Sequence, residues 1–152
     1  MLEGRHYQNA YVVQDAASAA GRLRACADVR RETLVESVID VATPSGRATL
    51  HNRLALIWVG DLQYELIEPV GYSALYSPAI AGDGSLRLHH TATRVADWDD
   101  FRRRVERQTF PVVMEGEHGP LKFLYLDARP LLGHYLEYLC CPEAVWTGMG
   151  GR

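Results

Sequence analysis

The two halves of this chain begin with similar sequences, and this internal repeat restricts the possible fold more than any other feature. Residues 8–15 read QNAYVVQD and residues 90–97 read HTATRVAD. Each stretch predicts a strand that runs into an aspartate-capped helix. Each half also closes on a strand that carries a glutamate, at Glu65 and at Glu137. Two opening positions, Gln8 and His90, and two closing positions therefore give four candidate ligands for one metal ion.

Strand signals dominate the rest of the chain. Runs rich in β-branched and aromatic residues predict strands at 35–41, 48–59, 63–67, 88–95, 112–115, 122–126 and 133–139. Helices are predicted at 16–27 and 98–108. The order is strand, helix and three strands, twice, so we expect an α+β fold of two βαβββ modules. One such module cannot bury its sheet alone, and pairing two of them would give a curved, half-closed mixed sheet around a cleft.

The chain length fits one domain. A sequence of 152 residues with 47% apolar content can form one well-buried domain and is too short for two ordinary ones. We place module one at about 5–70 and module two at about 87–142. The glycine-rich residues 71–86 between them are predicted to be a linker, and residues 143–152 a mobile tail.

Composition and charge restrict the partners. The net charge is −3 with acids and bases interspersed, so no basic surface indicates nucleic acid. No apolar run approaches the about 20 residues that span a bilayer, so no membrane partner is expected. Cys140 and Cys141 are adjacent and poorly placed to pair, and Cys26 stands alone, so no disulfide framework is implied. These features predict a cytoplasmic protein.

Strand alternation brings the candidate ligands to one side of the sheet. Gln8 shares a face with Ala10, and His90 shares a face with Ala92, because alternate side chains along a strand point the same way. An alanine two residues after each candidate would leave the cleft floor open. The predicted metal ligands are Gln8, Glu65, His90 and Glu137.

Each of these residues also has a structural interpretation. Glu137 lies in an apolar strand, where an arginine such as Arg94 is an alternative partner to a metal. Gln8 can be a polar wall residue, and His90 alone would be a structural histidine. Glu65 can lie at an exposed sheet edge. His89, on the opposite face, and His6 are expected at the surface.

Three segments resemble strands of the vicinal oxygen chelate superfamily, which includes glyoxalase I and methylmalonyl-CoA epimerase. They read LHHTATRV at 88–95, ELIEP at 65–69 and GHYLE at 133–137. The resemblance covers residues 7–142 and implies the paired-module fold, with one divalent metal ion held at these positions. The implied set of Gln8, Glu65, His90 and Glu137 is similar to that of eukaryotic-type glyoxalase I. Three oxygen donors and one imidazole suit Zn, Ni, Co, Mn or Fe.

The chain also departs from individual members of the superfamily. Dioxygenases and thiol-transfer resistance enzymes use two histidines, whereas this set has one. The epimerase resemblance implies a second catalytic glutamate on the third strand of module one. Residues 46–58 contain no carboxylate, and His51 is the only candidate in its place. Residues 66–69 lack the Thr and Asn that help glyoxalase I to hold glutathione.

The implied function is a metal-dependent isomerase or lyase of the glyoxalase type, which moves a proton through a metal-chelated enediolate of a small oxygenated metabolite or its conjugate. Glu137 is the expected base and Glu65 its partner. Substrate-binding residues are expected to be Arg94, Tyr135, Gln63 and Trp58. The family also implies a homodimer. The alternatives are a metal-free, drug-sequestering binding protein of this fold, an epimerase of an acyl-CoA, and a structural or regulatory protein.

Overall fold

The computed structural model describes residues 3–152, in which eight strands form one mixed sheet. The strands are β1 (Arg5–Val12), β2 (Val29–Thr43), β3 (Gly46–Val59), β4 (Leu62–Pro69), β5 (Arg87–Arg94), β6 (Val112–His118), β7 (Leu121–Leu126) and β8 (Tyr135–Cys140). The helices are α1 (Ala16–Arg24), α2 (Trp98–Val105), α3 (Arg129–Leu132) and α4 (Glu143–Gly148), with a 3-10 turn at Ser77–Ala79. The predicted α+β class is confirmed. Within residues 3–152, no helix is long and apolar enough to cross a bilayer.

The sheet closes into a barrel with the strand order β1-β4-β3-β2-β6-β7-β8-β5. The strand β1 pairs in parallel with β4 and antiparallel with β5, and β5 pairs in parallel with β8. Two residue pairs join β2 to β6, Val41 with Gly116 and Ala42 with Glu115. The sheet is curved as predicted, but it is closed rather than half-closed because this short ladder links its two outer strands.

The two long helices lie on the outside of the barrel. The aspartate caps are confirmed, since the carboxylate of Asp15 accepts a hydrogen bond from the Ser18 N–H and that of Asp97 accepts one from the Asp100 N–H, both at 2.8 Å. The alanine face of α1 packs on outward side chains of β3 and β4. Phe101 of α2 packs on those of β7 and β8. The inward side chains are therefore free to form a site.

Residues 143–152 do not form the mobile tail that the sequence predicted. They contain α4, whose Trp146 is only 1% exposed. The Trp146 ring meets the rings of Tyr7 and Trp58 at centroid distances of 4.9 and 5.8 Å. Both partners lie at the β1 N-terminal end of the barrel, so α4 covers that end. At the other end, Tyr76 of the linker packs among buried residues of β1 and β4.

Candidate metal centre

A bulge in β5 turns two consecutive histidines into the barrel. Ala10 of β1 lies opposite His90, but the next residue, Tyr11, lies opposite Leu88, so His89 is an extra residue in the ladder. A bulge disrupts the alternation of side chains and can direct two neighbours to the same side. His89 is accordingly 3% exposed, and the prediction that it lies at the surface is wrong.

A second bulge occurs at the equivalent place in β1. His6 pairs with Thr93, but Gln8 pairs with Ala92, so Tyr7 is the extra residue. Tyr7 and Gln8 are both buried and both line the interior cavity. Each candidate ligand on an opening strand therefore follows a buried ring side chain: Tyr7 precedes Gln8, and His89 precedes His90.

The strand registers arrange the candidates in two rows across β4, β1, β5 and β8. One row is Glu65, Ala10, His90 and Tyr135, and the other is Gln63, Gln8, Ala92 and Glu137. The two alanines are fully buried, and each lies between larger side chains of its row. Small side chains at these two positions leave room for the larger side chains beside them in each row.

Three of the four candidates converge. The Nε2 atom of His90 lies 2.9 Å from an oxygen of Glu137 and 3.4 Å from an oxygen of Glu65. One donor atom from each residue lies within 4.8 Å of the others, which is a spacing that could hold a metal ion. The Tyr125 hydroxyl lies 3.2 Å from the same Nε2. The His90 side chain is fully buried, whereas those of Glu65 and Glu137 are 13% and 10% exposed toward the cavity.

This cluster carries buried negative charge. Burial lowers the pKa of His90, but hydrogen bonds to Glu137 and Glu65 outweigh burial and raise it to about 9. Burial also raises the pKa of Glu65. Burial, followed by the charges of the two glutamates, raises the pKa of Tyr7. One imidazolium cannot neutralise two carboxylates, and buried charges need a partner or a metal, so the site favours a cation.

Gln8 supplies a further test of whether a metal fits. Its side-chain N–H donates to the Gln63 side-chain oxygen at 2.7 Å, which leaves the Gln8 oxygen buried without a hydrogen-bond partner among residues 3–152. Such an orphaned acceptor costs about 1–3 kcal/mol. Gln8 lines the same cavity as Glu65 and Glu137. An amide oxygen, two carboxylates and an imidazole fit a divalent cation of hard or borderline character.

The interior cavity has a volume of about 200 Å³. Its polar wall includes Gln8, Gln63, Glu65 and Glu137. The facing apolar side chains come from β2, β3, β4, β7 and β8 and are Ile39, Leu50, Leu54, Ile67, Phe123 and Leu139. This volume is smaller than the roughly 300–1,000 Å³ of sites for drug-sized ligands. The cavity therefore suits a small molecule or one end of a larger one.

Solved structures match this chain over nearly its whole length, although no protein-family model and no curated protein sequence matches it. Methylmalonyl-CoA epimerase from Mycobacterium tuberculosis is 18% identical with a TM-score of 0.68, covering 97% of each chain. A methylmalonyl-CoA epimerase in complex with methylmalonyl-CoA and NH4+ is 17% identical with a TM-score of 0.65, covering 92% of this chain and 96% of that one. The Streptomyces coelicolor epimerase, in a variant bound to 2-nitronate-propionyl-CoA, is 15% identical with a TM-score of 0.65 and the same coverage.

The chain has the fold of the methylmalonyl-CoA epimerases. These enzymes are members of the vicinal oxygen chelate superfamily, so the predicted resemblance in fold is confirmed. At this level of identity the likeness concerns the fold, and the chemistry must be argued from the residues of the site.

The third strand differs from the pattern that the epimerase resemblance implies. Of the β3 residues, Leu50, Asn52 and Leu54 line the cavity. His51 points to the outside, where its ring is hydrogen-bonded to Glu36 of β2. His51 therefore cannot replace a second catalytic glutamate, and the inward position next to it holds the amide of Asn52.

Arg94 does not lie at the cavity. Its guanidinium donates to the Glu143 carboxylate at 2.8 Å and to the Cys141 carbonyl at 3.3 Å. It also lies over the Trp146 ring, 4.7 Å from the centroid. Arg94 thus anchors α4, and it neither neutralises Glu137 nor reaches a substrate in this arrangement.

Of the other three predicted substrate-binding residues, only Gln63 lies at the cavity. Gln63 lines the cavity, although its oxygen is used by Gln8. Trp58 is buried near α4, and its ring N–H donates to the Met149 carbonyl at 2.8 Å. The guanidinium of Arg129 covers the Tyr135 ring at 4.4 Å. Neither aromatic residue lines the cavity.

Several residues that surround the site were not predicted from the sequence. Tyr7, Tyr76 and Asn52 line the cavity, and His89 contacts His90 from behind. Burial lowers the pKa of His89 well below its ordinary value, so this ring is a neutral neighbour. The adjacent histidines within a predicted strand are the one sequence signal that pointed toward His89.

Proposed function

We propose that this protein is a divalent-metal-dependent isomerase or lyase of the glyoxalase type. It would transfer a proton at the carbon next to a carbonyl of a small oxygenated metabolite or its conjugate. The observation that carries the proposal is the convergence of donor atoms from Glu65, His90 and Glu137 within 4.8 Å. Glu65 and Glu137 line the interior cavity, and His90 lies directly behind them.

The residues have distinct roles in this proposal. Glu65, His90 and Glu137 would hold the ion, with the Gln8 oxygen as the fourth ligand. When bound, a divalent cation supplies Lewis acidity, which polarises a substrate carbonyl and lowers the pKa of the neighbouring C–H group. Glu137 is the proposed base, and Glu65 is its partner across the cavity. Burial raises the pKa of Glu65, which makes this carboxylate a stronger base than an exposed one.

An epimerase of an acyl-CoA is a second candidate. The solved structures of the same fold support it, because their bound ligands are acyl-CoA compounds. The cavity of about 200 Å³ would accept the acyl end only. In this case Glu65 and Glu137 would have to supply both proton transfers, because the β3 side chains that line the cavity are Leu50, Asn52 and Leu54. A metal-free binding protein is the remaining alternative.

We further infer that β1–β4 and β5–β8 are equivalent modules and that the protein acts as a cytoplasmic homodimer. The repeated element order and the paired bulges support the modules. The outer part of β2 supports the dimer, because Leu34, Val35 and Val38 are exposed there, away from the short ladder with β6. An exposed apolar edge of this kind favours pairing with another chain. Analytical ultracentrifugation would measure the stoichiometry.

Metal analysis of protein purified without chelators tests the main proposal. We expect about one divalent ion per chain in the wild type, and loss of the ion in His90→Ala and in Glu137→Gln with the far-UV circular dichroism spectrum retained. His51→Ala is the matched control, because this histidine lies outside the barrel. Full metal loading in both site variants would contradict the assignment of these ligands.

A further inference from the structure

A chain of hydrogen bonds runs from the linker to the candidate metal centre. His89 Nε2 lies 3.2 Å from the carbonyl oxygen of Leu75. His89 Nδ1 lies 2.9 Å from Nδ1 of His90. On its other side, His90 presents Nε2 to the carboxylates of Glu65 and Glu137. Each of the four ring nitrogens therefore has a defined neighbour.

The donor and the acceptor in each of these hydrogen bonds follow from the chemistry of the groups. A carbonyl oxygen only accepts, so the proton of His89 lies on Nε2 and is donated to Leu75. A second proton on His89 would place a charge among the rings of Tyr76, Tyr125 and Tyr135, whose centroids lie 4.8, 6.3 and 4.8 Å away. Such a buried charge lacks a carboxylate partner among the contacts of His89 and is costly. His89 Nδ1 is therefore an acceptor, and His90 Nδ1 must carry the proton.

We propose that His89 is a positioning residue that fixes the tautomer of His90. It holds the His90 proton on Nδ1, so that the lone pair of neutral His90 lies on Nε2 and faces Glu65 and Glu137. The inference rests on the proposed function, because a metal-binding imidazole must present an unprotonated nitrogen to the ion. Partners that hold the other ring N–H in this way also fix the orientation of the ring.

The bulge in β5 is what makes the arrangement possible. In a regular strand, the residue before an inward-facing ligand points outward and cannot reach it. Here the extra residue brings the His89 ring behind the His90 ring, with centroids 5.2 Å apart and planes at 86°. The Leu75 carbonyl then fixes His89, so the linker determines the tautomer at the site.

The hydrogen bond can be tested in the metal-free wild-type protein by nuclear magnetic resonance. With ¹⁵N-labelled histidine, we expect a scalar coupling across the N–H···N bond between Nδ1 of His90 and Nδ1 of His89. We also expect the ¹⁵N shifts of His89 to be those of a neutral ring protonated on Nε2. A doubly protonated His89 at neutral pH, or a proton on His89 Nδ1, would overturn the proposal.

Two substitutions separate positioning from simple packing. His89→Leu removes the acceptor, and we expect its affinity for Zn²⁺ to fall about 10- to 100-fold. His89→Asn places an amide oxygen near the position of Nδ1, and it should retain most of the affinity. His51→Leu is the control and should bind Zn²⁺ like the wild type, since His51 lies outside the barrel. Equal weakening in both His89 variants, or none in His89→Leu, would contradict the role.

The two measurements distinguish failure of this inference from failure of the proposed function. Wild-type protein that shows the coupling but binds none of Zn²⁺, Ni²⁺, Co²⁺, Mn²⁺ and Fe²⁺ would refute the metal-dependent function and support the tautomer assignment. Wild-type protein that binds Zn²⁺ without the coupling would refute the role of His89 and leave the metal centre intact.

Discussion

Gln8 and His90 are held in the same way at the level of single residues. The N–H of Gln8 is bound by the Gln63 oxygen, and one ring nitrogen of His90 is bound by His89. In each case the remaining oxygen or nitrogen is directed to the cavity side. A side chain with one end fixed loses less conformational entropy when it takes up a ligand at the other end.

Substitution of Gln63 tests this arrangement for Gln8. Gln63→Leu would leave the buried Gln8 N–H without a partner and allow the amide to rotate, so we expect about 10-fold weaker binding of Zn²⁺. Gln63→Glu retains an oxygen acceptor and should bind Zn²⁺ at least as tightly as the wild type. Isothermal titration calorimetry measures both. Unchanged affinity in Gln63→Leu would show that Gln63 does not hold Gln8 as a ligand.

Strand alternation predicts which face a residue occupies but not its depth in the barrel. It correctly directed Gln8, Glu65, His90 and Glu137 inward, because strands in register keep their faces aligned. Arg94 shares the face of His90, yet it lies four residues further along β5, about 13 Å at 3.3 Å per residue. That distance takes it to the end of the barrel that α4 covers.

At the level of elements, the bulges and α4 are the unpredicted features that most affect the site. A bulge adds one residue to a ladder without a distinctive composition, so the inward positions of Tyr7 and His89 could be seen only from the pairing of β1 with β5. The helix α4 was not predicted because it is short and lies next to the glycine-rich end of the sequence. Its stability comes from burial of Trp146 against the barrel rather than from helix propensity.

The contribution of α4 can be measured with Trp146→Ala. This ring is 1% exposed and contacts two aromatic rings and the Arg94 guanidinium, so we expect the free energy of unfolding to fall by about 3–5 kcal/mol. Urea denaturation gives the value. Leu131→Ala in α3 is the control, because Leu131 is 73% exposed and its loss should change stability by less than about 0.5 kcal/mol. Equal, small effects would mean that α4 does not hold the barrel end closed.

At the level of the whole molecule, closure of the barrel creates the electrostatics of the site. The ladder between β2 and β6 closes the wall, α4 covers one end, and Tyr76 packs at the other. Two carboxylates and one imidazole are thereby largely buried, and charges interact more strongly in such a medium than in bulk water. A proton on His90 and a divalent cation compete for the same two glutamates, because the imidazolium offsets one of the two negative charges and a divalent cation offsets both.

This competition predicts how stability depends on pH. The pKa of His90 is about 9 in the metal-free folded protein, against an ordinary value of 6.5. Because the folded state binds more protons between these values, the stabilisation is complete below about pH 6.5 and is lost as pH rises through about 9. The raised pKa of Glu65 acts in the same direction. For His90 alone we expect a loss of about 3.5 kcal/mol, at about 1.4 kcal/mol for each pKa unit.

Zn²⁺ should reverse this trend, since it binds only the deprotonated ligands and binds more tightly as pH rises. Urea denaturation from about pH 6.5 to about pH 9, with a chelator and then with excess Zn²⁺, measures the difference. In His90→Ala the chelator curve should become flatter over the same range, because its principal titrating group is gone. A wild-type stability that rises with pH in the presence of chelator would show that His90 and the two glutamates do not share a proton in the metal-free barrel.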